Sequence, residues 1–484
     1  MKKTRRGGTY KPLSDGDVGK IHETSLRVFE EVGIEVRLPE ARALFLEAGA
    51  IPAEQEYVLK IPSGLVERLI EQAPPMVTLC GRDESGALDC HIGGRNVYMG
   101  TGGTALNVQD PGSNASRPSQ LGDIASMARL VDVLANIDFY MINVYPNDLE
   151  GDVVDVNRFY TALKHTRKHV MGGVYTAEGV RNVIRMAEII AGGPDALRER
   201  PIVSMVTCVV SPLRLDMHYS GLTIEVARKG IPVVVPAEPL CGATGPVTLA
   251  GTLVIQNVDT LSGVMLAQLA NPGTPVIYGS VASVADLNTM KYLSGAVEMG
   301  LLNAAAARMS QYYRLPYYAT AGMTDSKVSD AQAGYESAIT NMLVALAGAN
   351  FIHDAAGFIE FCMTASYEKL VIDNDIIGMV MRAVEGIEVN EETLAFDIIK
   401  KVGPGGHYVA QGHTRKYMRA ERHLPDMGDR KERFEWEAAG SKDIRARAAE
   451  KARTVLNEPV RSFFSREVDD LLLREIPGLE KPQE

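Results

Sequence analysis

Eight short apolar runs recur through the middle of the chain, at NVYMGTGG, DFYMINV, HVMGGVY, IVSMVTCVV, PVVVPAE, PVIYGSV, LPYYATAG and ANFIHDAAG. They are β-rich, and many close on Gly or a small polar residue, the pattern of a buried strand. Between them lie DIASMARLVDVLAN, AEGVRNVIRMAEIIAG, LRLDMHYSGLTIEVARKG and GAVEMGLLNAAAARMSQYYR, whose apolar positions return at helical spacing. Strands of this kind, roughly 30–40 residues apart and separated by helices, predict an α/β chain folded as a (β/α)8 TIM barrel. The competing architecture, a doubly wound open sheet, lacks support because no glycine-rich nucleotide fingerprint follows an early strand.

The flanks read differently. LSDGDVGKIHETSLRVFEEVGIEV places Ile21, Leu26, Val28, Phe29 and Val32 at roughly helical spacing, with Ser14 as N-cap and Gly33 as stop. PEARALFLEAGA and SGLVERLIEQAP predict two further helices. Residues 1–94 therefore form an N-terminal helical section with short strands, and 95–365 the barrel. Residues 366–484 open with the helical stretch EKLVIDNDIIGMVMRAVEGI and continue as a charge-rich C-terminal helical extension, expected to pack beside the barrel and end in a solvated tail.

Composition removes several function classes. Apolar residues make up 46% and charged residues 23% of the 484, the balance of a globular protein with a large core. A net charge of −11 argues against a general nucleic-acid binder. No uninterrupted apolar run of membrane-spanning length is expected, and the basic start lacks the apolar stretch of a secretory leader. Five scattered cysteines (Cys80, Cys90, Cys208, Cys241, Cys362) suit reduced thiols and a cytoplasmic location.

The histidines supply the candidate chemistry. His165 and His169 stand four apart beside Lys164, Arg167 and Lys168, without an HExxH pattern; a polar helix end explains them. His407 and His413 flank a glycine-rich turn with no cysteine nearby, so no bound metal is predicted. GTGGT lacks the Lys-Ser/Thr ending of a phosphate loop. His353 is different, because it sits near the C-terminal end of the last strand, the end at which such barrels bind substrates. Two readings stay open for it: a core histidine satisfied by a neighbour, or a group that faces a ligand. Asp354 either orients its ring or is structural. Aromatic residues near strand ends, Tyr98, Tyr313, Phe358 and Phe361, are ordinary packing or the walls of a cage for a quaternary ammonium ion.

Four stretches carry a family resemblance. They are PLSDGDVGKIHETSLRVFEEVGIEV near the start, YMGTGGTALNVQD at 98–110, AGMTDSKVSDAQAGYESAITNMLVALAGANFIHDAAG at 321–357, and DIIKKVGPGGHYVAQGHTRKYMRAERHLPDM at 397–427. With them the chain resembles the trimethylamine methyltransferase (MttB) superfamily almost end to end. The resemblance implies a barrel that passes a methyl group from a methylated amine to the Co(I) of a corrinoid (cobalamin) carried by a partner protein. Founding members carry pyrrolysine, whereas this chain uses the standard residues alone. That departure implies a quaternary amine substrate, with glycine betaine first, giving dimethylglycine; proline betaine, carnitine and γ-butyrobetaine follow.

On this reading His353 is the catalytic candidate, donating to a substrate carboxylate, orienting the methyl group or approaching the cobalt. Tyr98 and Phe361 lead the cage, with Phe358 and Tyr313 behind them. An assembly of identical subunits is expected, with no nucleic-acid or membrane partner. Two other classes remain: a corrinoid-independent lyase or hydrolase working through His353, Asp354 and Glu360, and a non-catalytic quaternary-amine binder.

Overall fold

All eight apolar runs form strands of one closed parallel barrel in the computed structural model, which describes residues 5–480. The basic first four residues and the last four of the expected tail lie outside the described residues. In chain order the strands are Tyr98–Thr101 (β1), Tyr140–Met141 (β2), Val170–Gly173 (β3), Val203–Val206 (β4), Val233–Ala237 (β5), Val276–Ser280 (β6), Tyr317–Thr320 (β7) and Phe351–Ala356 (β8). Each pairs with its sequence neighbour, β8 pairs with β1, and a bridge between Gly100 and Phe139 joins β1 to β2. The strands are apolar on both faces because one packs against helices and the other fills the lumen.

Inward-facing side chains build the lumen floor. Phe139, Met141, Met171, Val206, Val234, Ile277, Tyr318 and Phe351 form one buried cluster. The antiparallel hairpin Met76–Leu79/Cys90–Gly93 adds Val77, Leu79, Cys90 and Ile92 to it and plugs the N-terminal end of the barrel. The polar cavity of the barrel lies at the opposite end.

The N-terminal section folds as its sequence predicts. Ser14 caps Asp15–Arg27 and forms a reciprocal capping box with Asp17, the Asp17 N–H donating to Ser14 Oγ at 3.2 Å. A π-helical turn, Val28–Val32, continues the helix, and Gly33 ends that turn at φ +86°, where a Cβ would sit 2.6 Å from the Leu59 carbonyl oxygen. Asp15–Arg27, Pro39–Ala48 and Ser63–Glu71 all lie against Leu249–Ala270. That helix is long and apolar enough to cross a membrane by length and composition alone, but most of it is buried. Covered by barrel and N-terminal helices alike, it has no need of a polar face.

The C-terminal region divides in two. Ile444–Leu456 packs on Tyr367–Glu385 and Leu121–Val133, and Arg466–Glu475 packs on Ala177–Ala191. Residues 386–426 depart from the expected packing, for none of them is buried.

Candidate active site

A bulge in β8 assembles the reactive-looking pair. The register of β8 against β1 shifts between Ile352 and Ala356, and Asp354 takes a left-handed backbone, φ +58°. Such a conformation costs a non-glycine residue of order 1 kcal/mol. It brings the side chains of two consecutive residues together, which regular strand alternation would send to opposite faces. His353 Nε2 lies 2.9 Å from Asp354 Oδ2, and Thr320 Oγ1 donates to the same oxygen at 2.7 Å.

The protonation of the pair follows from its partners. His353 Nδ1 is 2.7 Å from the Ala319 carbonyl oxygen, which can only accept, so Nδ1 carries a hydrogen. A neutral ring would then meet Asp354 with two acceptors. One further proton must lie between Nε2 and Oδ2, and the pair is an imidazolium–carboxylate pair or its neutral equivalent. The imidazole stacks on Tyr318, centroids 3.9 Å apart and planes at 13°. Asp354 Oδ1 is buried with no hydrogen-bond partner.

Beyond this pair opens a cavity of about 380 Å³ at the C-terminal ends of β4, β5 and β6. Cys208, Ser211, Glu238, Thr244 and Tyr292 give it polar groups, and Val209, Pro236 and Val281 give it apolar wall. Glu238 is exposed to the cavity yet enclosed by the barrel. Loss of bulk water, then the charge of Asp354, pushes its carboxyl up to about 7. Burial, with Glu238 and Asp216, pushes the Cys208 thiol up to about 12, so it is no thiolate nucleophile at neutral pH. The Tyr292 phenol is raised well above its ordinary range by burial and by Glu238 and Asp354, and stays protonated.

The expected cage is not assembled. Tyr98 is the first residue of β1, paired with Phe351, and packs against the floor cluster on the plugged side. The sequence reading took the right strand and the wrong end. Phe358 is fully buried in the outer core. Tyr313 ends the helix Val297–Tyr313 outside the barrel, where its hydroxyl accepts from Asn257 Nδ2 at 2.9 Å and meets His22 Nδ1 at 3.0 Å. Phe361 is half-buried near the mouth, its N–H bonded to the Thr324 carbonyl of the loop after β7, but the Lys327 ammonium already stands 4.4 Å from its ring centre. Of the five residues, His353 alone is placed among the lumen groups.

Three other histidines hold structural posts. His169 is fully buried with Nε2 2.8 Å from Ser204 Oγ, and burial lowers its pKa to about 4. His165 meets the Arg461 carbonyl, and His413 the Glu392 carbonyl. Glu360 accepts from Thr364 Oγ1 at 2.5 Å.

Sequence reasoning missed Glu238 and Tyr292. Glu238 carried a readable signal, an acidic residue directly after the apolar run PVVVPA at a barrel strand's C-terminal end. Tyr292 carried none, because it belongs to a small hairpin, Ser283–Asp286/Lys291–Leu293, that comes over the mouth from the loop after β6.

Known proteins share both sequence and fold. The sequence profile of the family described as Trimethylamine methyltransferase (MTTB) matches residues 1–476. Trimethylamine methyltransferase MttB of Methanosarcina thermophila is 40% identical over 448 residues, 92% of each chain. The protein of that name from Desulfitobacterium hafniense (strain DSM 10664 / DCB-2) is 39% identical over 444 residues, 92% of this chain and 89% of its own. Glycine betaine methyltransferase of Desulfitobacterium hafniense (strain Y51) is 33% identical over 463 residues, 95% of each chain. Among solved structures, the Methanosarcina barkeri monomethylamine methyltransferase MtmB aligns with a TM-score of 0.53 at 11% identity, covering 95% of this chain and 88% of that one. At that identity the likeness concerns the fold.

Proposed function

The chain belongs to the trimethylamine methyltransferase family, and on that premise we propose that it demethylates a quaternary amine, glycine betaine first, with the corrinoid of a partner protein as methyl acceptor. The acceptor is a second substrate, and its reduced cobalt is the nucleophile that takes the methyl group. The observation that carries the reading is the lumen itself, where an enclosed carboxylate (Glu238) stands beside a tyrosine ring (Tyr292) and the His353–Asp354 pair.

A quaternary nitrogen has no hydrogen to donate and no lone pair. It is held by charge and by ring faces, which Glu238 and Tyr292 offer. On losing a methyl it leaves as a neutral tertiary amine and needs no proton. What remains for the protein is orientation and the exclusion of water, and a cavity closed below by an apolar floor does both. His353 has both nitrogens engaged, so a direct hydrogen bond to a substrate carboxylate is not open to it in this arrangement. We assign it instead to the wall of the site, where the Asp354 pairing fixes its ring and proton.

A second reading has its own support, since the two trimethylamine methyltransferases above stand at 39–40% identity and the glycine betaine enzyme at 33%. Trimethylammonium would donate its N–H to Glu238, which a quaternary amine cannot do. The test supplies Co(I) cobalamin, or a cognate corrinoid protein, and follows its absorbance on methylation with glycine betaine, proline betaine, carnitine, γ-butyrobetaine and trimethylamine in turn. Turnover of a betaine with trimethylamine inert is expected. Turnover of trimethylamine alone overturns the quaternary assignment in favour of the second reading.

A further inference from the structure

The ring of Tyr292 reaches the cavity on a hairpin with little core of its own. Its strands are Ser283–Asp286 and Lys291–Leu293, and no residue from 284 to 293 is buried. The first strand pairs with Leu240–Cys241 beyond β5. The second, which carries Tyr292, pairs with the first alone among the described residues. A short hairpin that buries so little holds its place poorly in water. The position of the ring is therefore decided where the hairpin returns to the barrel.

That return ends on a single carboxylate oxygen. Asp325 Oδ1, in the loop after β7, accepts from the Ser294 N–H at 2.8 Å, from Ser294 Oγ at 2.8 Å and from the Gly295 N–H at 3.0 Å. Ser294 and Gly295 are buried and follow Tyr292 directly after Leu293. Bonds to a carboxylate are stronger than bonds to a neutral acceptor, and here three converge. Gly295 also needs its missing side chain, for a Cβ there would overlap the Glu336 carboxyl.

The anchor is itself held from two sides. The Asp325 N–H donates to Glu336 Oε2 at 3.0 Å, Thr324 Oγ1 donates to the same oxygen, and Gln332 Nε2 donates to Oε1 at 2.9 Å. Glu336 belongs to Ala331–Ala347, the helix that follows β7. On the other side, the Glu360 N–H donates to the Ser326 carbonyl at 2.8 Å, tying the loop to the chain beyond β8. We propose that Asp325 is a positioning residue: it locks the return of the hairpin and so sets the Tyr292 ring over the cavity. The consequence for amine binding rests on the function proposed above, whereas the lock does not.

Two measurements on the full chain read the lock and its consequence separately. Hydrogen exchange of peptides spanning 283–296 should be at least tenfold faster in Asp325→Ala than in the wild type. Asp325→Asn keeps an acceptor oxygen in place and should stay within about threefold of the wild type. Should Asp325→Ala not fold, Ser294→Ala removes one of the three donors from the hairpin side and should also exchange faster. Wild-type exchange in the alanine variants overturns the proposal, whether or not any amine is turned over. With the amine that the wild type demethylates best, Asp325→Ala should raise KM severalfold and leave kcat within a factor of two. On a Tyr292→Ala background the same change should raise KM no further, because both act through one ring. An unchanged KM despite faster exchange, or an equal rise on both backgrounds, overturns the positioning role. A wild type inert toward all five amines removes the proposed function instead and leaves the exchange rates to decide the lock.

Discussion

Gly102 and Asp354 are in direct contact across the barrel mouth: a Cβ built on Gly102 would fall 1.5 Å from Asp354 Oδ1 and 2.4 Å from its carboxyl carbon. No rotation of a methyl relieves that overlap, so the absence of a side chain at 102 is what allows the carboxylate to reach His353. Gly102→Ala should therefore displace Asp354 and release His353 without touching either residue. The expected result is a folded protein with methyl transfer reduced at least tenfold, about 1.4 kcal/mol of transition-state stabilisation. Turnover equal to wild type would detach the pair from the reaction.

His353→Ala tests the pair from the other side. The sequence posed its two readings as exclusive, a core group or a ligand-facing one, but His353 is 3% exposed and still acts electrostatically on Glu238 of the cavity. Removing it leaves a buried carboxylate with one donor, Thr320 Oγ1. Breaking a buried ion pair from one side costs about 3–5 kcal/mol. Stability and turnover should fall together, the first read from denaturant midpoints, and Asp354→Asn should recover part of the stability on the His353→Ala background. Independent losses would mean that the two groups are not coupled.

The eight strands were legible because each is apolar on both faces and many are bounded by glycine or small polar residues, a signal that survives without tertiary context. The site was legible only in part. Tyr98 was read at the wrong end of its strand because periodicity does not say which end of a short run faces the mouth. Nothing local announces the left-handed turn at Asp354, since aspartate only tolerates it. The exposure of residues 386–426 was invisible for another reason: an apolar helix pattern reads the same whether its apolar side is buried or left in solvent.

Placement also predicts what should not matter. Tyr98→Ala removes a ring from the plugged end of the barrel. It should lower stability by a few kcal/mol, as large-to-small changes at packed positions do, while the KM for the amine stays within a factor of two. Tyr292→Phe should leave stability and binding nearly unchanged, and Tyr292→Ala should raise KM severalfold, because the ring face and not the hydroxyl meets the cation. Calorimetric titration of substrate into the three variants separates these outcomes. A Tyr98→Ala protein with normal stability and lost affinity would restore the cage predicted from sequence.

A buried brace holds the mouth in shape. Lys369 Nζ donates to both oxygens of Asp373 at 2.6 Å, and Asp373 accepts from the Gly357 N–H at 2.8 Å and from Ser337 Oγ at 3.0 Å. The same ammonium reaches the Gly322 carbonyl at 3.4 Å, so one cation ties the chain beyond β7 to the chain beyond β8. Lys369→Met strands the carboxylate and should cost about 3–5 kcal/mol, whereas Lys369→Met with Asp373→Asn should cost less than the single change. Additive losses in thermal unfolding would show that the two side chains act separately.

Glu238 makes the pH dependence of the reaction predictable in sign. Enclosure and the charge of Asp354 raise its carboxyl to about 7, so it is mostly neutral at pH 6 and mostly ionised at pH 8. Only the ionised form attracts a quaternary ammonium, and KM for the amine should therefore fall as pH rises through 7. Stability runs the opposite way. A carboxyl whose folded pKa exceeds its unfolded value stabilises the fold below the unfolded pKa, near 4.5, and loses that contribution as pH rises through 7. Glu238→Gln should abolish both trends, giving a pH-independent, raised KM and a melting temperature that no longer declines between pH 5 and 8 on account of this group. A wild-type KM that rises with pH across the same window would remove Glu238 from substrate recognition.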